Sequence, residues 1–497
     1  MQYQSSRGQS EPVSAAQAIV KGIAPDGGLY LPDHIPQLTG EDIKALVPMS
    51  YQERAKYVMR QFLPDFTGDE LRSCVEGAYN SNNFDNDKIA PLVRLNERLY
   101  IMELWHGPTS AFKDMALQIL PRFLTTSLHK TGDDAEIVIL VATSGDTGKA
   151  ALEGFRDVPG TRIIVFFPQE GVSQVQKLQM LTQEGNNVYV AGVEGNFDDA
   201  QNGVKNIFAS DEAEMILAKR NMKLSSANSI NWGRLLPQIV YYVSAYADLL
   251  ADGRLQTEQK VNIVVPTGNF GNILAAFYAG RMGVPINKLI CASNANNVLT
   301  DFIQTGTYDR NRDFEKTISP SMDILISSNL ERLLYEVTGH DAVRVSDWMR
   351  ELKEKGSYRI DEASWQTIST LFWADYSSDD ETIKRIGRVW EQDGYLLDTH
   401  TAVAMDVYEK YRQNTGDDTI TIIASTASPF KFGSSVAGAV IELDGDEAGE
   451  FALLRKLAEK TGWEIPKGIK HLEEMEIRHN TVTSVADMQN TMLSLLK

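Results

Sequence analysis

The sequence predicts an α/β protein with mostly parallel β-sheets flanked by helices. Four short runs, rich in β-branched residues, have the length and the nearly continuous apolar character of strands buried on both faces. These runs lie at 136–142, 162–167, 187–192 and 261–266. Amphipathic segments separate them, for example at 173–183 and 233–250, where apolar residues recur every three or four positions. Strands that alternate with helices favour parallel pairing.

The first region predicted by these patterns is an N-terminal domain, residues 1–93. It combines a polar start with helical stretches around Ala45, Ala55 and Leu71. The segment at 24–36 contains adjacent glycines and three prolines, so we expect it to form a loop or a tight turn.

The second region, residues 94–440, carries the alternating strands and helices and is predicted to form two α/β subdomains. Further strand candidates at 288–293 and 419–425 continue its pattern. The third region, residues 441–497, is predicted to be a helical C-terminal extension.

Composition and charge exclude several classes of function. The chain has 497 residues, of which 43% are hydrophobic and 23% are charged, and its formal net charge is −19. Binding of nucleic acid or of an anionic membrane needs an excess of Lys and Arg, so we expect neither partner, and positive charge for an anionic substrate must be local. No apolar run reaches about 18 residues, and the first residues do not resemble a secretory signal. We therefore expect a cytoplasmic protein. It could be a monomer or a small homo-oligomer, between which the sequence does not distinguish.

The cysteines and histidines form no metal or disulfide pattern. Cys74 and Cys291 lie far apart and are expected to be small core residues. The seven histidines show no HExxH motif or paired spacing, so no metal is predicted. His106 lies inside a motif and could be either structural or catalytic.

A glycine-containing loop, PTGNFGN at 266–272, follows one strand and precedes a helical pattern. Gly268 and Gly271 allow the backbone to approach an anion, and free N–H groups at a helix start attract one. The alternative is a turn that only connects a strand to a helix. The order of strand, loop and helix favours a phosphate cradle.

Lys113 lies in the segment HGPTSAFKDMALQ, next to Phe112 at the start of an apolar helical stretch. Desolvation near apolar surface favours the neutral amine, and only a neutral amine can attack an aldehyde. The alternative is a solvated lysine on the first turn of a helix, because lysine is rarely buried.

A second polar loop, ATSGDTGKAAL at 142–152, again runs from a strand into a helix and offers hydroxyl and N–H groups to a carboxylate. Its glycines do not match a nucleotide-binding P-loop, because Gly145 and Gly148 are too close and Ala150 follows Lys149.

Two further motifs place small polar groups where ligands bind. The segment 225–238 gathers amide, hydroxyl and guanidinium groups that suit a phosphate monoester, although an N-capped surface helix with a solvated arginine would look the same. The segment STASPF, 425–430, ends a predicted strand with Ser425 and Thr426, where ligands meet parallel sheets. Most such residues only cap helices or form turns.

Taken together, the motifs resemble the threonine synthases, specifically their longer microbial and fungal-type form. The resemblance spans most of the chain and is carried by eight segments in family order: YQSSRG, APDGGLYLP, HGPTSAFKD, ATSGDTG, NSINWGR, PTGNFGN, SMDILISSN and STASPFKF. It implies the tryptophan-synthase-β-like fold of the fold type II pyridoxal-phosphate enzymes. It also implies conversion of O-phospho-L-homoserine and water to L-threonine and phosphate, the last step of threonine biosynthesis.

The resemblance assigns a cofactor site for pyridoxal 5'-phosphate. Lys113 is implied to be the catalytic Schiff-base lysine, and Thr426 to lie at the pyridine nitrogen. A hydroxyl partner there does not enforce a protonated ring. The residues implied to hold the cofactor phosphate are Gly268, Asn269, Phe270, Gly271 and Asn272.

The resemblance also assigns a substrate site. The residues implied to bind the substrate carboxylate are Thr143, Ser144 and Thr147. The residues implied to bind the substrate phosphate are Asn228, Ser229 and Arg234.

The sequence departs from the family pattern at two positions. Asp146 stands where relatives outside this branch carry Asn, whose side chain binds the phenolic oxygen of the cofactor. We expect Asp146 to lie beside the cofactor, but an ionised Asp lacks the N–H donor of Asn, so the resemblance does not imply that hydrogen bond here. Ser428 stands where many members carry His, and no role is assigned to it.

Two other kinds of function remain open at this stage. A related enzyme could perform only phosphate elimination, or dehydrate serine or threonine, and its product would be a 2-oxo acid. A non-catalytic nucleotide-binding or metabolite-binding protein could use the glycine loops alone and would not depend on Lys113.

Overall fold

The computed structural model describes residues 1–143, 145–169, 172–442 and 449–497. Its strands are short, and most of them are buried. They are β1 (Tyr3–Ser5), β2 (Tyr30–Pro32), β3 (Leu92–Arg94), β4 (Leu99–Glu103), β5 (Glu136–Ala142), β6 (Thr161–Pro168), β7 (Val188–Glu194), β8 (Met222–Ser225), β9 (Val261–Pro266), β10 (Ile286–Ser293), β11 (Thr307–Asp309), β12 (Ser357–Arg359), β13 (Phe372–Tyr376), β14 (Thr421–Ser425) and β15 (Thr481–Ser484).

Helices separate most of these strands and also form much of both ends of the chain. They are α1 (Ala15–Lys21), α2 (Gly40–Leu46), α3 (Tyr51–Phe62), α4 (Gly68–Ala78), α5 (Asp114–Leu117), α6 (Leu120–Thr131), α7 (Asp146–Phe155), α8 (Gln174–Leu181), α9 (Phe197–Phe208), α10 (Asp211–Lys219), α11 (Trp232–Ala251), α12 (Gly271–Met282), α13 (Val298–Thr305), α14 (Leu330–Val337), α15 (Ala342–Lys355), α16 (Glu362–Leu371), α17 (Asp379–Asp393), α18 (Thr399–Thr415), α19 (Gly433–Val440), α20 (Glu450–Thr461), α21 (Lys467–Lys470) and α22 (Met488–Leu495). Short 3-10 helices cover Pro320–Met322, Pro429–Phe432, Leu472–Glu474 and Val485–Asp487.

Two parallel sheets form the centre of the molecule. In the six-stranded sheet the order is β13-β10-β9-β14-β4-β3, and each neighbouring pair is parallel except β3 with β4. In the five-stranded sheet the order is β15-β7-β6-β5-β8, and each pair is parallel. Every residue of β9, β14 and β4 is buried, which explains their continuous apolar character. The α/β class and the parallel pairing predicted from the sequence are confirmed.

Five strands of the two large sheets were not predicted from the sequence, namely β3, β4, β8, β13 and β15. The C-terminal extension contains helices, as expected, but it also supplies β15, which pairs with β7 through Thr481 and Ala191. The sequence TVTS of β15 is short and polar because it lies at the sheet edge, so it gives little strand signal. The buried strand β4 was also missed, because it is only five residues long and contains Tyr, Met and Glu.

The N-terminal region packs against the central helix α11. Its turn-rich segment includes the short strand β2, which pairs antiparallel with β1 and makes that part more ordered than the predicted loop. The hydroxyl of Tyr3 donates to the carbonyl of Phe62 at 2.8 Å, and the Tyr3 ring meets Trp232 of α11 edge to face at 5.4 Å. Nearly all of α11 is buried, which explains its apolar composition. Among the described residues, no helix is long and apolar enough to cross a membrane.

Candidate active site

Three loops that follow buried strands meet around Lys113. Lys113 lies after β4, Asp146 after β5 and Lys431 after β14, and ligands bind at this end of parallel strands. Nζ of Lys113 lies 3.4 Å from Oδ2 of Asp146, and Nζ of Lys431 lies 2.8 Å from Oδ1 of the same carboxylate. Loops from both parallel sheets therefore contribute to one site.

Backbone and side-chain hydrogen bonds hold Lys113 in place. The N–H of Phe112 donates to the carbonyl of Thr426 at 2.8 Å, which ties this loop to the end of β14. The carboxylate of Asp114 accepts hydrogen bonds from the N–H and the hydroxyl of Thr109 at 2.8 and 2.7 Å. Because Lys113 lies between these two anchored positions, its backbone is fixed relative to the strand ends.

The environment of Lys113 suits a nucleophilic amine. The residue is buried, and burial lowers the pKa of the amine, although the charge of Asp146 opposes this effect. Its Nζ donates to Oγ of Ser321 at 3.1 Å and lies 5.4 Å from the centre of the Phe112 ring. The lowered pKa increases the fraction of neutral amine, which is the form that attacks an aldehyde.

Asp146 is a buried carboxylate with partners on both oxygens. Oδ1 accepts from Nε2 of Gln176 at 3.0 Å and pairs with Lys431, whereas Oδ2 faces Lys113 and Ser321, each at 3.4 Å. Burial alone would raise the pKa of Asp146, but the charges of Lys431 and Lys113 outweigh it and hold the pKa well below its usual range. Asp146 is therefore a permanent negative charge at this site.

The loop between β9 and α12 approaches the same centre. Phe270 adopts a left-handed conformation with φ of 62°, which turns the chain into the helix. A Cβ atom on Gly268 would lie 2.8 Å from the carbonyl oxygen of Ser321, so only glycine fits there without a shift. The loop is braced from α14, because the N–H and Nδ2 of Asn329 both donate to the carbonyl of Asn269, at 3.1 and 3.0 Å.

The donors of this loop fit the phosphate of pyridoxal phosphate. Within the described residues, no acceptor receives the N–H groups of Gly268, Asn269, Phe270 or Gly271. Nδ2 of Asn272 is also buried without a partner. Buried polar groups are nearly always hydrogen-bonded, so free donors at a helix start suit a bound anion.

Arg234 is a buried cation with spare donors. Its Nη1 donates to the carbonyl of Ala227 at 2.7 Å, while its Nε is buried without a partner. Burial lowers the pKa of Arg234 to about 10, so the guanidinium stays charged at neutral pH. A buried guanidinium with an unused donor suits an anionic ligand.

The other members of the 228–231 segment differ in exposure and role. Asn228 is exposed, and its side chain accepts from the hydroxyl of Ser229 at 3.3 Å. Ser229 lies within 3.5 Å of Asn329, so it is close to the loop at 268–272. Asn231 caps α11 and donates to the carbonyl of Ile19 at 2.9 Å, which is a structural role.

The predicted carboxylate-binding loop is only partly described. The hydroxyl of Thr143 accepts from the N–H groups of Gly145 and Gly148, each at 3.0 Å, and so shapes the loop itself. Thr147 is half-buried in the first turn of α7. Ser144 lies outside the described residues.

Comparison with known proteins identifies the family of the chain. The family described as "Threonine synthase N terminus" matches residues 2–79, "Pyridoxal-phosphate dependent enzyme" matches residues 87–364, and "Threonine synthase, C-terminal" matches residues 401–492. The chain is 39% identical over 442 residues to the threonine synthase of Pseudomonas aeruginosa, covering 89% of this chain and 91% of that relative. The chain belongs to the threonine synthase family.

Solved threonine synthases share the fold over the whole chain. A structure titled as the threonine synthase of Brucella melitensis with bound PLP matches with a TM-score of 0.88 at 38% identity, covering 99% of this chain and 98% of that one. The yeast threonine synthase structure matches with a TM-score of 0.89 at 32% identity, covering 100% of this chain and 98% of that one. The architecture is that of a fold type II pyridoxal-phosphate enzyme.

A longer human relative is also similar. The chain is 42% identical over 435 residues to human "Threonine synthase-like 1", which covers 86% of this chain. The matched part spans only 58% of the length of that relative.

Two residues of this threonine synthase family site were missed by sequence reasoning. Ser321 and Lys431 both lie within segments that carried the family resemblance, but no chemistry was assigned to either. Ser321 contacts both Lys113 and Asp146. Lys431 could have been found from the sequence, because it lies two residues after Pro429 and between two phenylalanines. Lysine is rarely buried, so a lysine in such an apolar segment indicates a special role.

Arg332 was also missed, and it connects three parts of the molecule. It is fully buried, and its Nε donates to the carbonyl of Tyr30 at 3.0 Å. Its Nη2 donates to the carbonyl of Ile230 and its Nη1 to Oδ1 of Asn329, each at 2.6 Å. Arg332 thus orients the side chain that braces the loop at 268–272.

A histidine and an aspartate next to Ser321 resemble a serine-activating triad, but the hydrogen bonds differ. Nε2 of His400 accepts from the backbone N–H of Ser321 at 3.2 Å, not from its hydroxyl. Nδ1 of His400 therefore carries the proton and faces Oδ1 of Asp398 at 3.2 Å. This pair holds the Ser321 backbone and does not activate its hydroxyl as a nucleophile.

Proposed function

We propose that this protein is a threonine synthase that converts O-phospho-L-homoserine and water to L-threonine and phosphate. The observation that carries the proposal is the buried Lys113 amine, whose pKa is lowered by burial and which lies beside the Asp146 carboxylate. Membership in the threonine synthase family supports the choice of reaction.

Residues around Lys113 are proposed to hold pyridoxal phosphate. The free N–H groups of the loop would hold the cofactor phosphate, Lys113 would bind the aldehyde group, and Asp146 and Thr426 would hold the ring. Residues of the loop that bind the phosphate are Gly268, Asn269, Phe270, Gly271 and Asn272. When bound, the cofactor supplies an electron sink that stabilises negative charge at the substrate α carbon.

The substrate is proposed to bind through its two anionic ends. Its phosphate accepts hydrogen bonds from Arg234, Asn228 and Ser229, of which Arg234 provides the buried charge. Its carboxylate binds at the first turn of α7, through Thr147 in that turn and Thr143 in the loop before it. Ser144, which lies outside the described residues, is proposed as a third partner of the carboxylate. The two ends together orient the reacting carbons toward Lys113.

Lys113 is proposed to move the protons of the reaction. Its free amine removes the proton from the α carbon and then transfers protons at the β and γ carbons, because one mobile base can serve several steps. Phosphate leaves from the γ carbon while Arg234 stabilises its developing charge, and water adds at the β carbon.

The first experiment is the absorbance spectrum of the purified protein before and after treatment with borohydride, with Lys113→Ala alongside. We expect a visible band in the parent protein, attachment of the cofactor to Lys113 after reduction, and neither in the variant. Threonine should then appear when O-phospho-L-homoserine is added. Absence of a band after addition of pyridoxal phosphate would exclude the proposal, and a 2-oxo acid in place of threonine would indicate an enzyme that only eliminates phosphate.

Three further expectations belong to the same proposal. Residues 1–93, 94–440 and 441–497 act as the N-terminal domain, the catalytic region and the extension. The protein acts as a monomer or a small homo-oligomer. The two buried, unpaired cysteines, Cys74 and Cys291, are compatible with action in the reducing cytoplasm.

A further inference from the structure

The two oxygens of Asp146 have different lysine partners. Oδ1 lies 2.8 Å from Nζ of Lys431 and accepts from Gln176 at 3.0 Å, whereas Oδ2 lies 3.4 Å from Nζ of Lys113 and from Oγ of Ser321. The carboxylate thus has a close partner on one side and a looser one on the other. The looser partner is the reactive lysine of the proposed function.

Lys431 is fixed more firmly than Lys113. Its side chain is 0% exposed, compared with 10% for Lys113, and its Nζ also donates to the carbonyl of Thr109 at 2.9 Å. The proposed reaction uses no atom of Lys431. A buried lysine that reacts with nothing needs another reason for its position, because burying an ammonium is costly unless it is paired.

The charges at the site explain this position. Lys113 must be neutral when its amine attacks an aldehyde, and at that point Lys431 remains the close cation next to Asp146. Without Lys431, Asp146 would have Lys113 as its nearest cation and would favour the charged, unreactive form of that amine.

We propose that Lys431 is the counter-ion of Asp146 and positions that carboxylate so that the Lys113 amine is free to react with the cofactor aldehyde. The inference rests on the proposed function of Lys113. Lys431 acts through Asp146 and is a positioning residue.

The test compares Asp146→Asn, Lys431→Met and the double variant by the pH dependence of pyridoxal phosphate uptake into cofactor-free protein. In the measured step the neutral amine attacks the aldehyde carbon, a C=N bond forms, and the aldehyde oxygen leaves as water with the two amine protons. The charged groups that face Lys113 are Asp146 of α7, Lys431 of the 3-10 helix at Pro429–Phe432, and Arg234 of α11.

The two single variants should shift the uptake profile in opposite directions. In Lys431→Met, Lys113 loses a repelling cation and becomes the nearest cation to Asp146, so the pKa of the Lys113 amine rises and less of it is neutral at pH 7. Uptake at pH 7 therefore becomes roughly tenfold slower and recovers at higher pH. In Asp146→Asn, Lys113 loses its attracting charge, so the profile moves to lower pH. The double variant should lie between them, because it removes both charges. A purely structural defect would not give shifts of opposite sign.

Thermal unfolding of the cofactor-free proteins provides the second measurement. Each single variant leaves one buried charge without its partner, whereas the double variant leaves neither, so the double variant should unfold at a higher temperature than Lys431→Met. The matched control is the half-buried pair Lys149 and Glu153 of α7, 3.3 Å apart. As for Lys431 and Asp146, the double variant Lys149→Met, Glu153→Gln should unfold at a higher temperature than the single variant Lys149→Met. Neither change should alter the pH profile of pyridoxal phosphate uptake.

The outcomes separate this inference from the proposed function. If the parent protein takes up no cofactor at Lys113 at any pH, the proposed function fails and this inference fails with it. If the parent takes up cofactor normally and Lys431→Met has the same profile, or shifts in the same direction as Asp146→Asn, only the role of Lys431 is refuted.

Discussion

At the scale of single residues, Arg234 is the most informative group of the proposed substrate site. It is buried and charged, it makes one hydrogen bond to a backbone carbonyl, and its Nε has no partner in the described residues. A buried guanidinium with an unused donor is costly, which supports the proposal that the substrate phosphate binds there.

Replacing Arg234 should therefore damage substrate use and not cofactor binding. We expect Arg234→Ala to lower kcat/KM for O-phospho-L-homoserine by about 10²- to 10³-fold, because a charge-assisted contact to phosphate is lost. Arg234→Lys should retain part of the activity, since lysine keeps the charge but not the two-pronged geometry. Steady-state kinetics together with the absorbance spectrum measure both effects. Loss of the visible band in either variant would contradict this division of roles.

At the scale of secondary structure elements, the start of α14 connects the N-terminal region to the cofactor loop. Arg332 donates to carbonyls on β2 and before α11, and it orients Asn329, which braces Asn269. The neighbouring Glu331 pairs with Arg7, whose Nε and Nη2 each donate at 3.0 Å. The N-terminal region therefore supports the loop at 268–272 through the first turn of α14.

Arg332→Met should weaken cofactor binding even where the protein remains folded. We expect the dissociation constant for pyridoxal phosphate to rise about tenfold, because Asn329 loses the contact that orients it. The matched control is Arg54→Met, since Arg54 is also buried and bound to the backbone carbonyls of Leu46 and Val47. Both variants should unfold at lower temperature, and only Arg332→Met should change the cofactor titration. Equal dissociation constants in the two variants would argue against a role for α14.

At the scale of the whole molecule, His106 links distant segments of the chain. Its Nδ1 lies 2.6 Å from Oδ1 of Asp85, which belongs to the segment after α4, and its Nε2 lies 2.8 Å from Oε2 of Glu103 at the end of β4. Glu103 also accepts from the hydroxyl of Tyr395 at 2.7 Å. Burial alone would disfavour the imidazolium, but Asp85 and Glu103 outweigh it and raise the pKa of His106 to about 9. These contacts give His106 a structural role.

The raised pKa predicts how stability depends on pH. A group whose folded pKa exceeds its unfolded value of 6.5 stabilises the protein fully below that value, and the contribution disappears as pH rises through about 9. His106→Gln should therefore lower the free energy of unfolding by roughly 3 kcal/mol at about pH 6 and by much less at about pH 10. Denaturant unfolding of parent and variant at both pH values measures the difference. A difference that is equal at both pH values would show that His106 does not titrate as expected.

Much of the fold could be predicted because strand burial is visible in local sequence. The runs at 136–142 and 261–266 are β5 and β9 with the same bounds, since strands covered on both faces are continuously apolar. β15 could not be predicted in this way, because a four-residue polar edge strand is defined by its partner β7. Short segments with weak propensity take their structure from tertiary context.

The sequence by itself determined the α/β class and the family, and it singled out Lys113, the loop at 266–272 and Arg234 as candidates for the site. Those features depend on local chemistry, such as glycines after a buried strand or a lysine beside apolar residues. Only the tertiary structure decided that Lys431 pairs with Asp146, that Ser321 contacts Lys113 and that Arg332 braces the cofactor loop. These contacts join residues up to about 300 positions apart. A buried charge is costly without a partner, and a partner so distant in sequence cannot be identified from any local pattern.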